Sequence, residues 1–547
     1  MGSERQFDFD WIVIGSGFGG SVSALRLSEK GYRVSVLECG RRFADHDFPK
    51  STGDFRRYFW RPFLGMKGIF RISNFKDVAV VSGCGVGGGS LGYANTLYVP
   101  PKAFFEDRQW ASIEDWESSL SPHYVEAQRM LGVTMNEHDD PADQLLRELG
   151  EELGVGDTYK KTPVGVYFGE PGKTAPDPFF DGEGPDRTGC KLCGRCMVGC
   201  PHGAKNTLVK NYLYLAEKRG ALISPERTVI DVRPLGKGDG SDGYEIESVR
   251  SGAWLRKERR VQYARGVVVS AGPLGTNKLL QRCRIKGSLP RLSQRLGELV
   301  RTNSEAILAV TVPEDYRDDL IKRVAITSSI YPDAHTHIET VTYGDDGNSM
   351  RRLYTLLTGD GTRLTRPLKL LSQIALHPGR FWKLLRTSDW SKRTIIVLVM
   401  QTLDNAMALR PRTGPFKAFW LQTEQDPERP NPTFIPVANE AAEWFAKRTG
   451  GVAQSSVTEA LFNIPTTAHI LGGAVIGADA TEGVVDAHQH AFGYENLLVC
   501  DGSVIPANVG VNPSLTITAL AEHAMSFVPA AGDTTAAPEA AAAASSS

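Results

Sequence analysis

The stretch DWIVIGSGFGGSVSALRLSEKGYRVSVLECG, residues 10–40, constrains this chain more than any other. Residues 11–14 form an apolar run of strand length, 21–30 carry apolar residues at helical spacing, and 34–38 read as a second strand ending on Glu38. Between them Gly15, Gly17 and Gly20 fit the pattern G-x-G-x-x-G. In that turn the first glycine allows the tight bend, the second lets a pyrophosphate approach the backbone, and the third lets helix and strand pack. Glu38 follows where a carboxylate can accept from a ribose hydroxyl. The stretch therefore predicts an α/β, Rossmann-like dinucleotide-binding domain. The fingerprint alone fits FAD and NAD equally.

Three later segments extend this reading, and two of them repeat its logic of strand, turn and helix. VSGCGVGGGSLGYANTLYVP (81–100) is glycine-rich between apolar flanks, as expected of a chain passing close to a ligand rather than a flexible surface loop. RGVVVSAGPLGTNKLL (265–280) reads as a buried strand, a turn at Ala271 and Gly272, and a helix start. NLLVCDGSVIPANVGVNPSLTITALAEHAM (496–525) reads as a strand ending at Asp501, a loop, and a helix from about Ser514.

In this order, GVGGGSL, AGPLGT, HILGG and DGSVIPANVGVNPSLTITALAE resemble the glucose–methanol–choline (GMC) family of FAD-dependent oxidoreductases, most of all its cholesterol oxidase-like branch. The resemblance covers roughly 8–110, 200–310 and 455–528. It implies that FAD is the cofactor and that Gly15, Gly17, Gly20 and Glu38 hold its adenosine half. Val229 would touch the adenine, and Gly88, Gly89, Ser90 and Asn95 would line the flavin. Asp501 and Gly502 would meet the pyrophosphate or ribityl chain, with Ala271, Gly272 and Pro513 also at the cofactor. An FAD domain is then expected in three pieces, 1–110, 205–301 and 461–529, the last with active-site residues. A cap or insert carrying cysteines would occupy 111–204, a discontinuous β-sheet substrate domain 302–460, and a disordered tail 530–547.

A flavin that oxidises an alcohol needs a base for the hydroxyl proton. His469 precedes a Gly-Gly turn in TTAHILGG, and histidine takes up and releases protons near neutral pH. Asn512, at the start of the last helix, can donate to the substrate oxygen without changing charge. The resemblance implies that this pair binds and deprotonates the hydroxyl. Glu339, in HTHIETVTYG, is a third candidate, as the carboxylate base for isomerising a double bond; the alternative is an exposed strand carboxylate. The HTH triplet lacks a third ligand and is a poor metal site.

CKLCGRCMVGCP places Cys190, Cys193, Cys196 and Cys200 in the C-x2-C-x2-C-x3-C-P run of bacterial ferredoxins. It predicts an iron–sulfur cluster, of 4Fe–4S type, with structural zinc as the main alternative and a redox thiol pair as another. The expected function is FAD-dependent oxidation of a hydroxyl on a hydrophobic, steroid-like molecule, with electrons leaving through the cluster to a ferredoxin or quinone. The alternatives are a reductase of ketones or activated alkenes, and an oxygen-using oxidase with a structural metal site.

A net charge of -1 gives no reason to expect nucleic acid as a partner. No run of 18 apolar residues occurs and the N-terminus lacks a hydrophobic signal core, so a cytoplasmic protein is expected. Residues 366–393 carry seven Lys/Arg against one acid, with Leu, Phe and Trp interleaved. Such a segment either lies on a membrane surface or turns its apolar stripe to the core.

Overall fold

The computed structural model describes residues 6–415 and 419–533. Strand Phe9–Ile14 pairs in parallel with Val34–Leu37 on one side and with Arg260–Val269 on the other. Leu222–Ser224 extends the sheet beyond Val34–Leu37, and Leu497–Val499 adds to Arg260–Val269, both in parallel. An antiparallel meander of Arg227–Pro234, Tyr244–Arg250 and Arg260–Val269 completes seven strands. Strands from three distant parts of the sequence thus form one sheet. The expected Rossmann-like α/β architecture is present.

The first helix runs Phe18–Glu29, starting earlier than its apolar spacing suggests. Gly19 and Gly20 belong to it because their missing side chains let it pack on the sheet: a Cβ on Gly19 would stand 1.7 Å from Cys500 O. The helix is buried over most of its length against helices Tyr212–Lys218 and Ser514–Ser526. At its outer edge Arg26 binds Glu522 at 2.7 and 2.8 Å and Glu126 at 2.6 Å, clamping first and last helices together.

A second sheet of seven antiparallel strands has the order Tyr354–Leu356, Val452–Ser456, Ala306–Thr311, Thr394–Gln401, Thr336–Val341, Ile326–Asp333 and Lys160–Lys161. Its core strand Thr394–Gln401 contains the longest apolar run of the sequence and is buried from end to end but for Gln401. Helices Pro141–Glu152 and Pro436–Thr449 cover one face around Leu146, Val397 and Phe445. Each such buried side chain contributes roughly 1.5–3 kcal/mol.

A small third sheet joins the two. Ala79–Gly83 pairs antiparallel with Phe70–Asn74 and parallel with Thr466–Thr467. The first of these strands feeds the glycine-rich loop and the last delivers His469, so one pairing sets the distance between them.

The basic segment forms helices Thr365–Leu376 and Pro378–Arg386. Only Arg366, Leu370 and Leu384 of these are buried, while Leu368, Leu371, Leu376, Trp382 and Leu385 are exposed. Among the described residues no helix is long and apolar enough to cross a membrane. Most of the tail expected at 530–547 lies outside the described residues.

Candidate functional site

The dinucleotide turn is built by close backbone packing. Gly15 has φ +103°, and a Cβ there would stand 2.1 Å from Ser270 O; one on Gly20 would stand 2.2 Å from Gly15 O. Gly17 faces open space, with nothing within 4 Å of where a Cβ would stand. Gly88 comes up beside it, so near that its own Cβ would stand 2.6 Å from Gly17 Cα. Two glycine-rich loops from about 70 residues apart in the sequence therefore share one cleft.

Glu38 is buried at the end of Val34–Leu37. Its Oε2 accepts from Ser16 N and Oγ at 3.1 and 2.8 Å, and its Oε1 from Gly40 N at 2.7 Å. Arg227 N donates to Glu38 O at 2.8 Å, which brings the half-buried Val229 alongside. Ser90 accepts from Leu208 N at 3.0 Å and donates to Gly87 O at 2.6 Å, holding the second loop in shape; Gly89 lies over Phe18. Asn95 is fully buried at φ +72°, and neither polar atom of its amide has a partner. Asp501 accepts from Gly272 N at 2.9 Å, Thr276 Oγ1 at 2.5 Å and Ser503 N at 2.8 Å, and burial raises its carboxyl. These bonds end the strand at Val499, before Asp501, and hold Ala271, Gly272 and Gly502 in one turn cluster. An open backbone cradle at Gly17, an acid at the ribose position and an orphaned buried amide fit FAD.

Two polar pairs form where the second sheet meets the segments that carry His469 and Asn512. His469 is mostly buried, and its Nδ1 abuts Glu305 Oε1. Glu305, just before strand Ala306–Thr311, also accepts from Ala468 N at 2.9 Å. Asn512 Nδ2 donates to Glu339 Oε2 at 3.4 Å, while Asn512 Oδ1 and Glu339 Oε1 have no partner. Glu339 is fully buried, so the exposed-carboxylate reading is wrong. Burial raises it to about 8, opposed by the Asn512 bond and assisted by Glu305. His337, two residues earlier on the strand, is pushed down to about 3 by burial alone. It stacks on Tyr331 at 4.5 Å and meets Tyr98 edge-on at 5.0 Å, as a neutral ring.

Sequence reasoning missed Glu305, Tyr98 and His337 as site neighbours. Glu305 had one signal: an acid leading directly into the apolar strand AILAV.

The four cysteines of the ferredoxin-like run converge on one small cavity of about 20 Å³, lined also by Lys191, Arg195, His202, Lys205 and Arg323. Leu192, Gly194 and Gly199 have positive φ, so the loop winds tightly around it. Leu192 N donates to Cys190 Sγ at 3.4 Å, and the amides of Arg195 and Ala325 face the sulfurs of Cys193 and Cys196. All four are free thiols, and burial pushes Cys190 up to about 12 and Cys196 to about 11. Among the described residues the one trio of ligand atoms within 4.8 Å of one another is Glu38, Cys39 and Cys84, not three of these four. That trio has the Arg71 guanidinium at 3.4 and 3.6 Å from its sulfurs, which disfavours a cation.

The description GMC oxidoreductase matches residues 184–298 and 389–521, and that of an NAD(P)-binding Rossmann-like domain matches 13–46. A cholesterol oxidase of Mycobacterium tuberculosis is 51% identical over 96% of this chain and 92% of its own. One from Acinetobacter baumannii is 47% identical over 96% of this chain and 95% of its own. In fold the chain is similar to a formate oxidase of Aspergillus oryzae, with a TM-score of 0.61 at 16% identity over 95% of this chain and 97% of that one. The turn at Gly15–Gly20, the second glycine loop and the paired polar groups beyond it are what these matches span, and the chain belongs to the GMC oxidoreductase family of FAD-dependent enzymes that oxidise alcohols.

Proposed function

We propose that this chain oxidises the hydroxyl group of a sterol-like hydrophobic alcohol. The observation that carries the reading is that the pairs His469–Glu305 and Asn512–Glu339 are coupled through their carboxylates, with His469 on a segment paired to the strand that feeds the glycine loop, together with relatives of about half-identical sequence that are named cholesterol oxidases. FAD, when bound, supplies the two-electron acceptor for the hydride. His469 takes the hydroxyl proton, and Glu305 fixes its ring through Nδ1, leaving Nε2 for the substrate. Asn512 donates to the substrate oxygen and holds it in place. Glu339, raised to about 8, exchanges a proton readily near neutral pH and suits the migration of a double bond next to the new carbonyl. Glu305, Glu339 and Asn512 are buried, which limits the access of water to these transfers.

We further propose an electron exit at the four cysteines, on the strength of their ferredoxin-like spacing. Sulfurs of a tetrahedral zinc site stand about 3.8 Å apart, from Zn–S bonds of about 2.3 Å. No three of these four, all among the described residues, are within 4.8 Å of one another, a spacing wider than zinc needs and one that a larger iron–sulfur core would span. Amides facing three of the sulfurs favour thiolate ligands. A ferredoxin or quinone would then take the electrons. The exposed Leu368, Leu371, Leu376 and Trp382, set among Lys369, Arg380, Lys383 and Arg386, favour contact of this face with an anionic bilayer, where such a substrate resides.

The test is anaerobic mixing of the FAD-loaded chain with a 3β-hydroxysterol and, separately, with short primary alcohols. Bleaching of the flavin band by the sterol alone supports the reading. Bleaching by short alcohols only, or by none, refutes the substrate class.

A further inference from the structure

Lys205 is a buried cation without an anion. It is 1% exposed, and its Nζ donates to Leu91 O at 2.9 Å, Tyr93 O at 3.1 Å and Cys196 O at 2.8 Å. All three acceptors are neutral carbonyls. The Tyr93 ring adds a cation–π contact at 4.9 Å. Among the described residues no carboxylate is paired with this ammonium, although other buried cations of the chain have one: Arg323 with Asp140 at 2.9 Å, Arg301 with Asp404 at 2.9 Å. An ammonium taken out of water without a counter-charge is strongly disfavoured. The same pattern recurs next door. Arg187, 2% exposed, spends its guanidinium on Gly203 O at 3.0 Å, Ala204 O at 2.9 Å and the Asn206 side-chain oxygen.

What faces Lys205 instead is the cysteine cavity, whose lining includes Lys205 and no Asp or Glu. Thiols supply no charge. Four thiolates on an iron–sulfur core do, because such a centre is net anionic in each of its oxidation states. The carbonyls that Lys205 joins come from two different places: Cys196 in the cysteine loop, and Leu91 and Tyr93 in the loop that begins with Gly88.

We propose that Lys205 is the counter-charge and positioning residue of an anionic iron–sulfur centre at Cys190, Cys193, Cys196 and Cys200, and that it ties this centre's loop to the flavin-side loop. The inference rests on the cluster reading above. Lys205 donates its hydrogen bonds to carbonyls and acts through field and backbone. Adding an electron makes the centre more negative, so a nearby ammonium stabilises the reduced form and raises the midpoint potential.

The test uses the full chain purified anaerobically, with iron and acid-labile sulfide counted, FAD content recorded and the midpoint potential measured by EPR-monitored titration. Lys205→Gln keeps N–H donors for the carbonyls and removes the charge; Lys205→Arg keeps the charge. The expected result is equal iron and sulfide in the parent, a more negative midpoint in K205Q, and a midpoint near the parent's in K205R, with FAD retained in all. Parent protein without iron overturns both the cluster and this inference. Iron present with the same midpoint in K205Q as in the parent overturns this inference alone, as does an equal shift in K205R and K205Q, which would mark Lys205 as a mere hydrogen-bond donor. Should K205Q not fold, the parent decides: chelation of its iron must lower its melting temperature, and an unchanged melting temperature would contradict the need for the anion.

Discussion

The FAD cradle and the proposed proton-transfer site are linked by the small sheet, in which Ala79–Gly83 leads to the glycine loop and Thr466–Thr467 to His469, and they are built from different materials. The cradle is mostly backbone: Gly15, Gly17, Gly20 and Gly88 matter because they lack side chains, and a Cβ at three of the four would strike main chain. The proposed proton-transfer site is side chain: His469, Glu305, Glu339 and Asn512 are buried or mostly buried ionisable or amide groups that meet in two pairs. A cradle of backbone binds whatever presents phosphate and ribose, and tolerates no added atoms. A site of coupled side chains sets chemistry, and each member can be exchanged with the fold intact. Mutations should therefore separate binding of the cofactor from turnover.

The largest expected effect is on the side-chain half. His469→Ala should keep FAD and lose turnover by about 10²–10⁴-fold, the usual cost of removing a positioned base. Steady-state rates with FAD quantified by absorbance check this. Gly88→Val should do the reverse, because its side chain would enter the space against Gly17. FAD content should collapse, and residual turnover should scale with the FAD that remains. Glu305→Gln should cost less than the loss of His469, since the ring stays and only its orientation and charge support go.

Glu339 gives a pH test. Its carboxyl is raised from 4.5 to about 8 by burial, so the folded chain holds its proton more tightly than the unfolded chain does. The stability it contributes is complete below pH 4.5 and is lost as pH rises through about 8. Glu339→Gln mimics the protonated form and should flatten the fall in melting temperature across that window. A parent and mutant with parallel curves would show that Glu339 is already ionised at neutral pH. The smallest effect is expected on the basic helices. Reversing Arg380, Lys383 and Arg386 should weaken binding to anionic vesicles by roughly 1 kcal/mol per residue, without altering turnover on detergent-dispersed substrate. Absence of vesicle binding by the parent at low salt would end that idea.

The same contrast explains what the sequence made legible. Gly15, Gly17, Gly20 and Glu38 lie within 24 residues, so the turn could be read from local pattern alone. Its helix begins at Phe18 because Gly19 packs on distant backbone at Cys500 and Gly20 on Gly15 O and the Ser270 side chain, contacts that helical spacing does not encode. His469 and Asn512 were found through resemblance, not periodicity. Glu305 went unseen because its partners, Ala468 and His469, are more than 160 residues away. The alternation in THIETV places His337 and Glu339 on one face, but the strand is buried on both faces, and that Glu339 meets Asn512 is set by residues far away in the sequence. Likewise the spacing of the four cysteines is visible in the sequence, while the lack of a carboxylate beside Lys205 is a property of the fold.

The central claim is that the side-chain half acts on the hydroxyl while the backbone half holds FAD independently. Anaerobic stopped-flow reduction of the flavin by a 3β-hydroxysterol, in the parent and in His469→Ala at equal FAD occupancy, tests it most directly. The account predicts rapid bleaching in the parent and bleaching slowed by at least about a hundredfold in the mutant, with its FAD spectrum unchanged. Equal bleaching rates in the two proteins would contradict it.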